Sequence, residues 1–183
     1  MVNKLYEAFM YVIKYELKQS IRRYVILGAF DGILLGLSIL LAGVISHISL
    51  DSISISIYSG IVATAISSTW NALVVELGEK KTELERMEKQ VLKSLRGTIY
   101  DYSGKIASVL AAIAHGLSPF LGLTVLYMYE YSHSTFLSLC VGLASLGILG
   151  LLYGEGIKNK IYTMIQLIVA GIVTAFITLL IIR

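Results

Sequence analysis

Five stretches of this chain are long and apolar enough to cross a lipid bilayer as α-helices. A crossing helix needs about 20 mostly apolar residues, since each residue advances about 1.5 Å through a hydrocarbon core about 30 Å thick. The composition, 56% hydrophobic and only 15% charged, excludes a disordered chain and fits a soluble globular domain poorly. The sequence therefore predicts an all-α polytopic membrane protein with five transmembrane helices. We place the spans at residues 24–45, 57–77, 106–128, 134–154 and 161–182.

The distribution of Lys and Arg predicts the orientation. Five of them precede the first span, seven lie between the second and third spans, and two lie between the fourth and fifth. The connections 46–56 and 129–133 contain none. Fourteen of the 15 basic residues thus fall on one side, which the positive-inside rule assigns to the cytoplasm. We predict a cytoplasmic N-terminus and a C-terminal Arg183 on the outer side.

The N-terminal segment, residues 1–23, is predicted to be an amphipathic helix on the membrane surface. Apolar residues recur in it every four positions, with basic residues off that line. Binding of a partner protein is the alternative. The segment is charged throughout, so no cleavable signal peptide is expected. The apolar positions are Leu5, Phe9, Ile13, Leu17 and Ile21.

A second segment outside the spans, residues 78–104, is predicted to be a short cytosolic helical segment. It separates transmembrane helices 1 and 2 (residues 24–77) from transmembrane helices 3 to 5 (residues 106–182). The segment is rich in strong helix formers and continues the second span, and Gly97 is a plausible stop.

Asp31 is the first candidate functional residue, because it is the only charged residue in the first span. A carboxylate there costs about 2.5–3.5 kcal/mol on insertion scales, so it normally faces a cavity, a partner or an ion path. Gly28, Gly32 and Gly36 share its helix at a spacing that allows close helix packing. If two copies pack through this span, two carboxylates can hold a divalent cation or share a proton. A structural Asp, bonded to a neighbouring helix, is the alternative.

His115 is the second candidate, near the middle of the third span and four residues before Pro119. Pro119 should kink the helix and free backbone carbonyls one turn earlier. An imidazole there can ligate a transition metal or relay a proton, and a neutral His bonded to another helix is the alternative. The polar residues of the second span are expected to line the same path. These are Ser67, Ser68 and Asn71.

An acidic stripe follows the second span. Glu76, Glu79, Glu83 and Met87 are spaced by three, four and four residues, so they share one helix face. Carboxylates with a thioether can collect a metal such as ferrous iron at the membrane surface, and a solvated charged face is the alternative. A weaker exit site is possible at the outer side, where four further residues lie. These are His47, Asp51, Glu130 and His133.

Other chemistry finds no support in the sequence. The single Cys140 lies in an apolar stretch and can form neither an internal disulfide nor a cysteine metal cluster. No zinc signature, phosphate-binding glycine loop or nucleophile elbow is present. We therefore expect neither an enzyme with a bound cofactor nor a nucleic-acid-binding protein.

In these landmarks the chain resembles the vacuolar iron transporter family over residues 20–183. The order of the motifs matches, together with five spans and a cytoplasmic N-terminus. The matching segments are Gly28-Ala-Phe-Asp-Gly32, Leu41-Ala-Gly43, Ala65-Ile-Ser67, the acidic helix 76–90, Gly116-Leu-Ser-Pro119 and Gly171-Ile-Val-Thr-Ala175.

The resemblance implies a homodimer with an ion path between the subunits. It implies export of Fe²⁺, and sometimes Mn²⁺, from the cytosol in exchange for protons. Asp31 would be the path carboxylate, and Glu79 with its neighbours would be the cytosolic ligands. Tyr24, Gly60 and Ser68 stand where the family usually has two acids and a Met.

The functional prediction is therefore proton-coupled export of Fe²⁺ first and Mn²⁺ second. The plasma membrane of a prokaryote is the expected location and an organelle membrane the alternative. The competing function is a non-transporting membrane scaffold or docking protein that retains the same fold.

Overall fold

A computed structural model describes residues 2–12, 17–153 and 156–182, and it contains helices and no strand within them. A 3-10 turn at Ser118–Gly122 separates the fourth helix from the fifth. The seven α-helices are α1 (Val2–Tyr11), α2 (Leu17–Ile45), α3 (Leu50–Val91), α4 (Ile99–Leu117), α5 (Leu123–Ser132), α6 (Thr135–Tyr153) and α7 (Ile157–Ile182).

Five helical stretches in the described ranges are long and apolar enough to cross a membrane, which confirms the predicted fold class at that level. Large apolar side chains such as Phe136, Phe176 and Ile181 are exposed on the outside of the bundle. A hydrocarbon environment explains that exposure, because exposing large apolar side chains to water is unfavourable. The stretches are Ile21–Ile45, Leu50–Val91, Ile99–Ser132, Thr135–Tyr153 and Ile157–Ile182. Residues 13–16, Gly154 and Arg183, which also entered the sequence predictions, lie outside the described residues.

Helix α2 lies at the centre of the bundle and contacts every helix from α3 to α7. Its side chains Ile33 and Leu37 are fully buried, and they pack with Ile57, Leu126 and Leu146 in the main apolar core. The bundle has two ends. The basic end is where α2 begins, α3 ends and α4 begins, and the opposite end holds the turn between α2 and α3.

Helix α3 has 42 residues and buries one stripe of its surface. The stripe repeats every three or four residues, as one helix face must, and it changes from Ile at the opposite end to polar residues at the basic end. It consists of Ile53, Ile57, Ile61, Ala65, Ser68, Ala72 and Glu76.

The part of α3 that continues beyond the second span ends at Val91 rather than near Gly97. Leu92 takes a left-handed conformation with φ 52°, and its backbone N–H donates to the carbonyl of Glu88. The Glu88 Oε1 atom also accepts a hydrogen bond of 2.7 Å from the backbone N–H of Leu95. These bonds end the helix early, because backbone N–H groups that follow Leu92 bond Glu88 instead of continuing the helical hydrogen-bond pattern. Gly97, with φ 71°, lies in the turn before α4.

The described part of residues 1–23 comprises two helices. The short helix α1 packs against α4, with Ala8 and Val12 fully buried and the Tyr11 and Tyr100 rings 5.8 Å apart. Residues 17–23 are the first turns of α2, the helix that carries the first span. On α1, Tyr6, Phe9 and Met10 remain exposed apolar side chains.

Candidate functional site

A break in the third span builds the centre of the site. Pro119 has no N–H and cannot bond the carbonyl of residue 115, so the α-helix stops and a 3-10 turn follows. The Ser118 hydroxyl donates instead to the His115 carbonyl, at 2.9 Å. Pro119 thus interrupts the third span at the predicted position, by a change of helix type.

The glycines of α2 allow the broken helix to lie directly against α2. A Cβ on Gly32 would meet the Pro119 backbone, with the carbonyl carbon at 2.6 Å, and a Cβ on Gly36 would meet the Gly122 carbonyl oxygen at 2.8 Å. The spacing of these glycines predicts close helix packing, and the structure shows such packing along this glycine face. Its space is already filled by the chain's own third span.

Asp31 lies on a different side of α2, and its side chain is exposed in the single chain. Within the described residues it makes no hydrogen bond and no ion pair, and His115 packs against Gly28, one turn away on the same helix. An intramembrane carboxylate normally faces a cavity, a partner or an ion path, so its exposure keeps Asp31 as a candidate site residue.

His115 has both ring nitrogens buried, and neither has a hydrogen-bond partner among the residues that the structure describes. The alternative interpretation, a neutral His bonded to another helix, therefore finds no such bond here. Buried polar atoms are nearly always paired in native proteins. The His115 imidazole, packed against α2 one turn from Asp31, is thus positioned to take a further ligand.

A polar cluster lies on the basic-end side of His115, and sequence reasoning missed it. The Glu76 Oε1 atom accepts one hydrogen bond from the Tyr24 hydroxyl and one from the Arg23 Nη2, both at 2.8 Å. Glu76 is only 4% exposed. The Tyr24 ring lies 5.1 Å from the His115 ring, centroid to centroid. The regular buried stripe of α3, which ends at Glu76, was the signal available in the sequence.

The predicted path residues of the second span separate onto two faces. Ser68 is buried on the stripe that faces α2, in line with Glu76. Ser67 and Asn71 are exposed on the outer face of α3, where the Asn71 amide nitrogen lies 3.5 Å from the Ser67 hydroxyl. Ser68 is therefore the member of this set that lies on the same buried face as the cluster.

The residues of the predicted acidic stripe also have different surroundings along α3. Glu76 is held by Arg23 and Tyr24, whereas Glu79 is exposed and Glu83 pairs with Lys80 at 3.1 Å. Glu83 and Met87 line a cavity of about 460 Å³ between the last turns of α3 and the first turns of α4. Nowhere in the described ranges do three His, Cys, Asp or Glu side chains converge as a metal site.

The residues expected to form an exit site lie at the opposite end. Glu130 accepts a hydrogen bond of 3.1 Å from the Ser54 hydroxyl. His47 and His133 each occupy a turn with positive φ, and Asp51 lies in the first turn of α3. Their only shared feature in the structure is this end of the bundle.

Comparison with known proteins adds no identification: no protein-family model, curated protein or solved structure matches the chain. The resemblance to vacuolar iron transporters consequently remains a prediction from sequence landmarks. The structure establishes the coarser class, an all-helical protein with five candidate membrane-spanning helices.

Proposed function

We propose that this chain exports a divalent transition metal from the cytosol in exchange for protons, with Fe²⁺ as the first candidate and Mn²⁺ as the second. The observation that carries the proposal is the position of Asp31 and His115: the His115 side chain packs at Gly28, one turn of α2 from Asp31. One is a carboxylate without a bonding partner in the described chain, and the other is an imidazole with two bare buried nitrogens. Carboxylate and imidazole are ligands that such metals accept.

One copy of the chain supplies too few ligands for a closed metal site. Asp31 and His115 give two, while first-row metal sites commonly use four or more. Asp31 is exposed on the surface of the single chain, so a second copy can cover it and bring a second carboxylate and imidazole. A homodimer with the site between its subunits therefore satisfies both the exposed acid and the coordination number.

Proton exchange follows from the same ligands. When metal leaves, two neighbouring carboxylates repel each other, and the repulsion favours uptake of a proton by one of them. The imidazole can accept a proton as well. Each metal released can thus be replaced by protons from the other side. Glu79, Glu83 and Met87 at the basic end are the proposed collecting residues, and Ser68 lies on the inner face of the route.

The test is metal flux in proteoliposomes under an imposed pH gradient. Fe²⁺, Mn²⁺, Co²⁺ and Zn²⁺ are each offered to the parent protein, to Asp31→Asn and to Glu7→Gln. We expect gradient-dependent flux of Fe²⁺ or Mn²⁺ in the parent and its loss in Asp31→Asn, because an amide oxygen carries no charge and takes no proton. Glu7→Gln, which removes an exposed acid on α1, should transport normally.

Two outcomes would contradict this function. Undiminished flux in Asp31→Asn would remove Asp31 from the route. Flux of none of the four metals, from folded parent protein in sealed vesicles, would argue against transport altogether.

A membrane scaffold is the second candidate, and one observation favours it. Glu76, predicted as a metal ligand, is already neutralised by Arg23. For a scaffold, metal ions should leave the thermal unfolding temperature of the parent unchanged. A transporter that binds Fe²⁺ or Mn²⁺ in its folded state should unfold at a higher temperature with that metal, and Asp31→Asn should lose the shift.

A further inference from the structure

Arg23, Tyr24 and Glu76 connect the beginning of α2 to α3 between the basic end and His115. The Glu76 carboxylate receives both donors on the same oxygen, and the Arg23 Nη2 also lies 3.3 Å from the Tyr24 hydroxyl. The Arg23 guanidinium carbon lies 4.9 Å from the centre of the Tyr24 ring. The three side chains therefore form one closed set of mutual contacts.

Tyr24 is the member of this set that covers His115. Its ring is 6% exposed and lies against the imidazole. Its backbone carbonyl accepts a hydrogen bond of 3.4 Å from the Ser118 hydroxyl, which also bonds the His115 carbonyl. The Tyr24 ring thus covers the imidazole from the side of the basic end.

The apolar packing around Tyr24 is slight. Its buried neighbours are the small side chains of Ala72, Ala111 and Ala112, a cluster separate from the main core of the bundle. Little apolar surface is buried per alanine, so the polar bonds contribute much of what holds this region closed. Arg23 is also 47% exposed, so ions and water reach one member of the set directly.

We propose that Arg23, Tyr24 and Glu76 form a latch that closes the basic-end approach to His115. In the closed state Glu76 holds the Tyr24 hydroxyl, and the Tyr24 ring covers the imidazole. When Arg23 and Tyr24 release Glu76, the ring is free to move and the approach opens. The latch depends on the proposed function only for the identity of the ion that passes it.

The latch predicts which buried positions react with a water-soluble thiol reagent. Ser68 is a suitable reporter because it lies two turns beyond Glu76 on the same buried stripe and is 7% exposed. Gly116 packs on Ala65 and Thr69, so Ser68 and His115 lie at one depth. The natural cysteine is removed by Cys140→Ser, and Ser68→Cys then provides a single thiol. The probe is a cationic methanethiosulfonate added to either side of sealed vesicles.

We expect slow labelling of Ser68→Cys in the protein whose latch residues are unchanged. Glu76→Gln should speed labelling from the basic end by roughly tenfold or more, the factor by which loss of a charged hydrogen bond shifts a two-state equilibrium. Tyr24→Phe, which removes the hydroxyl and keeps the ring, should speed it less. Arg23→Lys keeps the charge and should remain closest to the parent.

The control is Ser138→Cys in α6, which is fully buried and far from the latch in the chain. It should stay unreactive in every variant. If Glu76→Gln exposes Ser138→Cys, that variant has lost its fold and Tyr24→Phe decides the question. Parent-like labelling of Ser68→Cys in a folded Glu76→Gln or Tyr24→Phe protein would overturn the latch. Labelling needs neither metal nor flux, so the latch and the transport function can fail separately.

Discussion

A single missing methyl group at position 32 sets how closely two membrane helices approach. Gly32→Ala would drive a Cβ into the Pro119 backbone, which cannot move aside as a flexible side chain can. We expect the free energy of unfolding to fall by about 1–3 kcal/mol, the usual penalty for overpacking. Denaturant titration in mixed lipid–detergent micelles measures it.

Gly78→Ala is the matched control for that substitution. Gly78 lies inside α3, and a Cβ there would have nothing within 4 Å. Alanine favours a helix over glycine by about 0.5–1 kcal/mol, so this variant should be at least as stable as the parent. A Gly32→Ala protein as stable as Gly78→Ala would show that the α2 contact is looser than the structure has it.

Some residues of the site were predictable from local chemistry, and others required the fold. Asp31 is unusual in an apolar span, and Pro119 breaks a helix wherever it stands, so each carries its own signal. The meeting of Tyr24 and Glu76 joins residues 52 positions apart and depends on how α2 and α3 are rotated about their axes. Only the period of the buried stripe on α3 pointed toward it.

At the scale of whole elements, the end of α3 and the turn to α4 depend on two residues with positive φ. Leu92 is 91% exposed and has φ 52°, a conformation that costs a non-glycine residue about 1–2 kcal/mol. Leu92→Gly should therefore raise the free energy of unfolding by about 1 kcal/mol, because the strain disappears and little contact is lost. Thermal and denaturant unfolding both report the change.

The opposite change at the neighbouring turn should have the opposite sign. Gly97 has φ 71° with open space around a Cβ, so Gly97→Ala adds strain without a clash and should lower stability by about 1 kcal/mol. If the two substitutions shift unfolding in the same direction, backbone strain is not what limits this turn.

The helices themselves were largely predictable because apolar length is a strong signal in membrane proteins. The apolar length of residues 57–77 predicted a span despite its serines, and α3 covers it. The end of α3 was placed too late because a glycine is a conspicuous stop, while the capping bonds of Glu88 depend on a side-chain rotamer that sequence does not reveal.

At the scale of the whole molecule, the basic side chains cluster at one end of the bundle, and the positive-inside rule predicts that this end is cytoplasmic. In the Cys140→Ser background, Gln90→Cys is exposed at the basic end and Ser46→Cys at the opposite end. We expect a membrane-impermeant maleimide to label Ser46→Cys in intact cells. Gln90→Cys should react only after the membrane is permeabilised. The reverse pattern would place the basic end outside.

The length of α3 has a mechanical consequence. At about 1.5 Å per residue its 42 residues extend about 63 Å, roughly twice the thickness of the hydrocarbon layer. Glu76 is bonded to α2, and about 22 Å of helix continues beyond it to Val91. The helix is thus a lever with its fulcrum at Glu76, and a tilt of about 5° displaces its tip by about 2 Å. A force that tilts this segment is thereby delivered to the single Glu76 oxygen atom that both Arg23 and Tyr24 bond.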